Sequence, residues 1–432
     1  MQIKTACFVA GLIFCLGSPA GASEKEDEPD YVSDTLSGAW GGLRSEWSER
    51  GIDVDIGFKS DMLWNVRGGL RQGGRPINQF DVKLAVDFEK YAGLHGLSGY
   101  VNFIYDSGGK INRDYVGSLM GVCNAEVTVS TQRFFHAWIE QAFLNKQWAI
   151  LVGLYPIDSE FQVLESAGLF LQPTYGATAD LALTRGPSIF NQSAFGVRAK
   201  WVSDKQPIYA MAAILDGIPG DPDQAQGTHI KFNKGDGTMH IAEIGLTPRP
   251  EHDSNSSQKS AESAKRPWSE KYSFGYWGYT SRVDDLIDVD VNGQALRRNS
   301  SGWYAQAERT AITWADGELV AFARHSKTDG DSTAIRDVSS IGARMRGVIP
   351  GRGDDFLGIA YTRGSISNKW RESQALAAVS TVGAESAIEI AYRIQATPWL
   401  VVQPMYQYIQ SPGAISTVPD ATLLGVKVEL AL

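Results

Sequence analysis

Hydrophobic and polar residues take turns along most of this chain. In 421–432, ATLLGVKVELAL, the residues Leu424, Val426, Val428, Leu430 and Leu432 hold every second position, with Lys427 and Glu429 between them. That period sends side chains to opposite faces of a strand. Ile52, Val54, Ile56 and Phe58 alternate with Asp53, Asp55 and Lys59, and Phe80, Val82, Leu84, Val86 and Phe88 with Asp81, Lys83, Asp87 and Glu89. The pattern returns in Phe195, Val197, Ala199 and Trp201 against Arg198 and Lys200, and in Ile341, Ala343 and Met345 against Arg344 and Arg346. It returns again in Ile388, Ile390, Tyr392 and Ile394 against Glu389, Arg393 and Gln395. Each segment reads as a half-buried strand whose second face is heavily charged.

Such segments fall near 51–65, 78–90, 98–106, 132–144, 147–156, 193–203, 207–216, 238–248, 270–282, 302–314, 318–326, 339–349, 355–364, 386–397, 399–410 and 421–432. They make about sixteen strands, with ends placed to ~2 to 4 residues. An uncovered last strand with one apolar face is an aggregation hazard unless its free edge is paired. Pairing it with the first strand gives the predicted fold class: all-β, a transmembrane antiparallel β-barrel of about sixteen strands over 51–432.

The connections sort by parity. After even-numbered strands they are short, as in AGLHG, NKQ, DKQP, ADGE, PGRGD and TPW. After odd-numbered strands they are long: 67–75, 107–131, 158–192, 217–237, 284–301, 327–338, 365–385 and 411–420. Outer-membrane barrels have short periplasmic turns and long external loops. The exception follows strand eight, where RPEHDSNSSQKSAESAKRP predicts a flexible periplasmic insertion over 249–267.

Composition alone would suggest a soluble protein, with 43% hydrophobic residues and a mean hydropathy of −0.19. An alternating wall hides its membrane signal from such averages. The opening MQIKTACFVAGLIFCLGSPAGASEKEDEPD has one lysine, an apolar run over 6–16 and the small residues Ala20, Gly21 and Ala22. It reads as a secretory signal peptide over 1–22, its apolar run being shorter than the ~20 residues of a membrane helix. Residues 23–50 then form an N-terminal periplasmic segment. Within it, GGLRSEWSERG sets Leu43 and Trp47 four apart on a short helix, either a plug beside the barrel entrance or a lead-in to strand one. Removal of 1–22 takes away Cys7, Cys15 and Lys4, leaving Cys123 with no disulfide partner and 39 basic against 49 acidic residues, a net charge of −10. That balance argues against nucleic acid as partner.

Motifs for chemistry are sparse. There is no Gly-x-Ser-x-Gly elbow, no His-Glu-x-x-His and no phosphate-binding glycine loop. The six histidines lack metal-ligand spacing, and Cys123, in the expected external loop 107–131, has no nearby histidine. DVDVNGQALRRN, 288–299, starts like a calcium loop but ends in Asn299 where the ion needs a bidentate Glu. No cofactor and no metal are expected.

The stretch 37–69, SGAWGGLRSEWSERGIDVDIGFKSDMLWNVRGG, resembles the opening of the carbohydrate-selective porin (OprB) family. The resemblance continues in order through AWIEQAF, WAILVGLYPIDSEF, GLFLQPTYG, SAFGVRAKW, VIPGRGDDFLGIAY and IEIAYRIQATPWLVVQPMYQYIQSPG. It implies a sixteen-stranded barrel in the bacterial outer membrane, among outer-membrane lipids, that passes small sugars, glucose above all, into the periplasm without turnover. The final Leu432 departs from the aromatic that ends many such barrels, and substrate choice does not carry over through the loops. A general ion-conducting porin and an outer-membrane hydrolase stay open as alternatives, as does a homo-oligomeric state.

Sixteen strands enclose water, so the charged faces line it. Trp138 is the first candidate sugar contact, alternating with His136 and Glu140 while Phe135, Ala137 and Ile139 take the lipid side; the competing reading is a girdle tryptophan. Arg198, Lys200, Arg344, Arg346, Glu389 and Arg393 share the charged faces, either as solute contacts or as wall charges paired across strands. The long loop 158–192 carries apolar residues that need burial, and folding into the barrel mouth would supply it. Asp158, Glu160, Glu165 and Arg185 are then constriction candidates, against a loop packed on the outer rim.

Overall fold

The computed structural model describes residues 30–248, 270–315 and 317–432. The expected signal peptide and the insertion 249–267 lie outside the described residues. Sixteen strands form one closed antiparallel sheet: β1 Ile52–Arg67, β2 Gly73–Asp87, β3 Leu97–Gly108, β4 Thr131–Phe143, β5 Trp148–Tyr155, β6 Ala194–Val202, β7 Ile208–Asp216, β8 Thr238–Leu246, β9 Glu270–Val289, β10 Ala295–Trp314, β11 Gly317–Thr328, β12 Ile335–Arg346, β13 Phe356–Ile366, β14 Ala384–Thr397, β15 Leu400–Gln410 and β16 Ala421–Ala431. Each strand pairs with its neighbours in sequence, and β16 closes on β1, with Lys427 opposite Asp61 and Glu429 opposite Lys59. All sixteen predicted strands are present.

Alternation decides which face turns where. Trp64, Ile214, Ile244, Ile341, Ile359 and Leu424 stay exposed on the outer wall, whereas Asp61, Arg198, Glu243, Glu308, Arg324, Glu385 and Glu389 are buried on the inner one. Several strands outlast their apolar pattern at the end with long connections. The clearest are β9 and β10, two 20-residue strands joined by a turn where a loop over 284–301 was expected. Beyond the apolar band both faces of a strand can be polar, so alternation loses its signal there while the ladder continues. In that turn the Asp290 carboxylate accepts from the backbone amides of Asn292 (2.8 Å) and Gln294 (3.0 Å). Asp288 is held by Arg298 and Lys369, so the calcium-like run builds a hairpin tip instead.

The helix Leu43–Glu49 lies at the end with short connections and docks on the closing seam. Its Arg44, 2% exposed, donates to the backbone oxygens of Val54 (2.6 Å) and Leu432 (3.0 Å), under the rings of Tyr31 and Trp40. The amide of Leu36 donates to Ala431 O at 2.8 Å. The segment therefore clasps the first and last strands together.

Candidate functional site

Two long connections turn inward and fill much of the barrel. Loop 156–193 is bonded to inner-wall side chains of nine strands, Asp106 of β3 through Asn191 (2.9 Å) among them, a spread that only a path across the interior allows. Arg198 of β6 meets Glu160 through two bonds of 2.8 and 2.5 Å. Glu243 of β8 accepts from Gln162 N, and Lys271 of β9 donates to Val163 O. Glu308 of β10 accepts from the amide of Ser166 (2.5 Å) and from its hydroxyl. Arg324 of β11 caps the carbonyls of Gln162, Tyr175 and Gly176, and Arg344 of β12 reaches Glu165 at 3.2 Å. Glu389 of β14 accepts from the amides of Leu171 (2.8 Å) and Gln172 (2.9 Å), and Gln403 of β15 donates to Leu169 O.

Loop 109–130 also enters. Glu385 of β14 accepts from Ser118 Oγ (2.5 Å) and the amides of Leu119 and Met120 (both 2.9 Å), and Gln407 of β15 donates to Val122 O. The two loops join where Asn124 N donates to Leu171 O at 2.7 Å. Cys123 is thus inside the barrel, 4% exposed, its thiol donating to Asp61 at 3.3 Å; the expectation of an external position is corrected. Burial beside that carboxylate raises the thiol well above its ordinary range. The apolar residues of the loops pack against β5–β10 on one side and β11–β16, β1 and β2 on the other. Burying them supplies a driving force, and the wall carboxylates satisfy amides that no ladder can pair.

What the loops leave is an inner strip on β1–β4 and β16. Asp55, Lys83, Asn102 and His136 form one cross-strand row, and Ala85, Tyr100, Trp138 and Gly153 the next. Tyr100 holds the rings of Trp138 and His136 at 5.5 and 5.4 Å. The residue paired with Trp138 is glycine, and no other would fit there: a Cβ on Gly153 (φ +148°) would sit 2.3 Å from Ala137 O and 2.7 Å from Trp138 Cβ. Nearby, Glu429 is shared by Lys427 (3.0 Å) and Arg393 (2.7 Å), and Lys83 meets Asp81 at 3.2 Å. The strip is polar and mixed in sign, and it carries one half-buried aromatic ring, Trp138, backed by Tyr100, which is itself buried at 3% exposure.

The structure distributes the sequence candidates unevenly. His136 and Trp138 share the strip. Phe135, expected toward lipid, is 7% exposed and meets the ring of Phe190 at 5.4 Å, because a bulge between Phe134 and His136 turns it inward; Phe134 takes the outer face. Glu140 and Arg198 are paired at 2.7 Å and buried at 2% and 0%, and with Glu160 they form a sealed triad instead of solute contacts. Glu389, fully buried, is likewise withdrawn from the lining as a loop anchor. Glu165 stays 40% exposed against Arg344, Arg346 lies 3.9 Å from Glu318, and Lys200 is half-buried on the inner face of β6. Arg185 donates to Ser281 Oγ. Asp158 accepts from Phe190 N at 3.4 Å, and burial pushes its carboxyl up to about 6. Tyr100 and Asn102 are absent from the sequence candidates and Lys83 enters only as a polar position of its strand, although all three belong to the same polar faces; loop 109–130 offered the signal used for the other loop, apolar residues at Leu119, Met120, Val122 and Val127.

A family model described as carbohydrate-selective porin, OprB family, matches residues 71–432. The chain belongs to that family. As an OprB-family protein it is a non-enzymatic channel of the bacterial outer membrane. Porin B of Pseudomonas aeruginosa is 22% identical over 469 residues, spanning 99% of this chain and 98% of that protein. The OprB-family barrel superposes on the high pH structure of Pseudomonas putida OprB with a TM-score of 0.80 at 19% identity, covering 93% of this chain and 99% of that one. The low pH structure of the same protein gives 0.58 at 17% identity with the same coverage. OmpF of Salmonella typhi, in complex with daunomycin, gives 0.52 at 12% identity, covering 89% and 99%.

Proposed function

We propose that this channel passes small neutral sugars, glucose foremost, by passive diffusion along the strip left open by the two loops. The observation that carries the reading is Trp138, half-buried on the inner wall and held from behind by the buried Tyr100, beside the row Asp55, Lys83, Asn102 and His136. A pyranose has flat apolar faces that rest on aromatic rings and a rim of hydroxyls that both accept and donate. Cations and carboxylates side by side serve such a rim, whereas a one-signed lining favours the opposite ion. The candidates Arg393, Arg344, Arg346, Lys200, Glu165, Asp158 and Arg185 then shape the passage or its rim, while Glu160 stays in its triad.

Liposome swelling with purified protein tests this, comparing glucose, a disaccharide and charged solutes of glucose size. Glucose should enter faster than its charged counterparts, and Trp138→Ala should slow glucose about threefold while Trp138→Phe restores most of the rate. Entry ranked by size alone would make the protein a general porin and sink the sugar reading.

A further inference from the structure

The outer wall of β10–β14 carries a groove of about 600 Å³ that the channel function does not use. Its floor is alanine, Ala307, Ala321, Ala323 and Ala343, and its sides are branched or aromatic, Ile359 and Tyr361 among them; Arg309, 3.9 Å from Glu270, lines its end toward the short connections. One exterior position further toward the long-connection end, about 7 Å along the strands, Ala323, Ile341 and Tyr361 give way to His325, Ser339 and Arg363, which face one another across β11, β12 and β13. Lys327 stands one position beyond, opposite Asp337. The Asp337 carboxylate is taken by Arg336 at 2.8 Å, and among the described residues no carboxylate lies within 4.0 Å of the exposed Lys327 or Arg363. His325 bonds Ser339 Oγ at 2.8 Å and packs on the Trp303 ring at 5.4 Å.

We propose that this groove and its cationic cap are a binding site for a phosphorylated glycolipid of the outer leaflet, one acyl chain lying in the groove and its phosphates on Arg363, Lys327 and His325. Two observations join here. The groove is apolar at the height of the hydrocarbon, and the unpaired cations begin where that apolar surface ends, the level at which a lipid carries its phosphate. Cations on two successive rows suit a headgroup with more than one phosphate. An apolar surface covering this face would bury the same cations without compensation, which costs several kcal/mol per charge in general, whereas a phosphate supplies the missing anion.

The test places detergent-purified protein in nanodiscs holding equal amounts of lipid A, phosphatidylglycerol and phosphatidylethanolamine, and counts lipids retained per barrel by native mass spectrometry. Wild type should keep one lipid A. The double variant Lys327→Ala, Arg363→Ala should retain about tenfold less, and Ala323→Trp, which fills the groove and leaves the charges in place, should lose it as well. Glucose swelling rates equal to wild type establish that both variants are folded. Retention of phosphatidylglycerol in place of lipid A would overturn the glycolipid assignment. Equal retention in wild type and variants, retention of no lipid, or a second protein chain in the lipid's place would overturn the site itself.

Discussion

Arg198 shows how much a single inner-wall residue can carry. Its guanidinium serves Glu140 and Glu160 at 2.7 and 2.5 Å with no exposed side-chain surface. Removing one partner of such a group leaves the remaining charges buried and uncompensated, a loss of ~3 to 5 kcal/mol. Arg198→Ala should therefore lower the temperature at which the folded barrel loses its fast gel mobility and loosen the start of loop 156–193. Glu160→Gln, which keeps a hydrogen-bonding partner, should do less. If Arg198→Ala melts at the wild-type temperature, the triad is not what seats that end of the loop. The sequence left Arg198 open between a solute contact and a wall charge paired across strands, and gave no sign that a loop residue, Glu160, would share it. Alternation assigns a charged residue to the inner face, but whether it meets water or another chain segment depends on a loop dozens of residues away.

At the scale of elements, the strands were legible and the loops only in part. Strands obey a local rule, so Ile341, Ala343 and Met345 gave their faces away together with Arg344 and Arg346. Loop 156–193 betrayed itself through buried-type residues such as Phe161, Leu169 and Phe170 in a long connection, all now within the interior. Most of its anchors stayed hidden because they pair a wall side chain with a backbone amide or carbonyl, and the backbone carries no sequence signature. One loop residue also sets a pH dependence. Asp180 is fully buried, bonded to Ser326 Oγ at 2.7 Å, and burial pushes its carboxyl up to about 6, against ~3.9 in an unfolded chain. Ionisation thus opposes folding: the penalty is absent below pH ~4, grows between ~4 and ~6 and is complete above, reaching up to ~3 kcal/mol. Asp180→Asn should stabilise the protein at pH 8 and change little at pH 4, read from thermal midpoints at the two values. A variant equally stabilising at both would show that Asp180 does not ionise within the loop.

For the whole molecule, the outer features divide between its two ends. At the long-connection end, Lys369 of the helix Asn368–Leu376 reaches Asp285, Asp288 and Asp331 at 2.6 to 2.8 Å and ties that helix to the β9–β10 hairpin. Although burial opposes it, the three carboxylates hold the ammonium above its ordinary range. At the other end Arg44 bridges the seam. Its bonds to Val54 O and Leu432 O involve a charged donor, each of a kind worth ~1.5 to 3 kcal/mol, so Arg44→Ala should cost ~3 to 6 kcal/mol, with Arg44→Lys intermediate. Denaturant midpoints of refolded barrels measure this, and an unchanged midpoint would reduce the clasp to a passive lead-in.

The seam has a further meaning in time. Fifteen of the sixteen ladders join strands adjacent in the chain, and only β1 with β16 spans its whole length. Hairpins zip in microseconds, whereas a contact between distant segments first loses the entropy of the loop it closes. Every local ladder can be in place while the wall is still an open, curling sheet with two bare edges. The step that turns this sheet into a vessel is a single meeting of its oldest and youngest strands, and the rate of that meeting sets how long those edges stay available to the wrong partner.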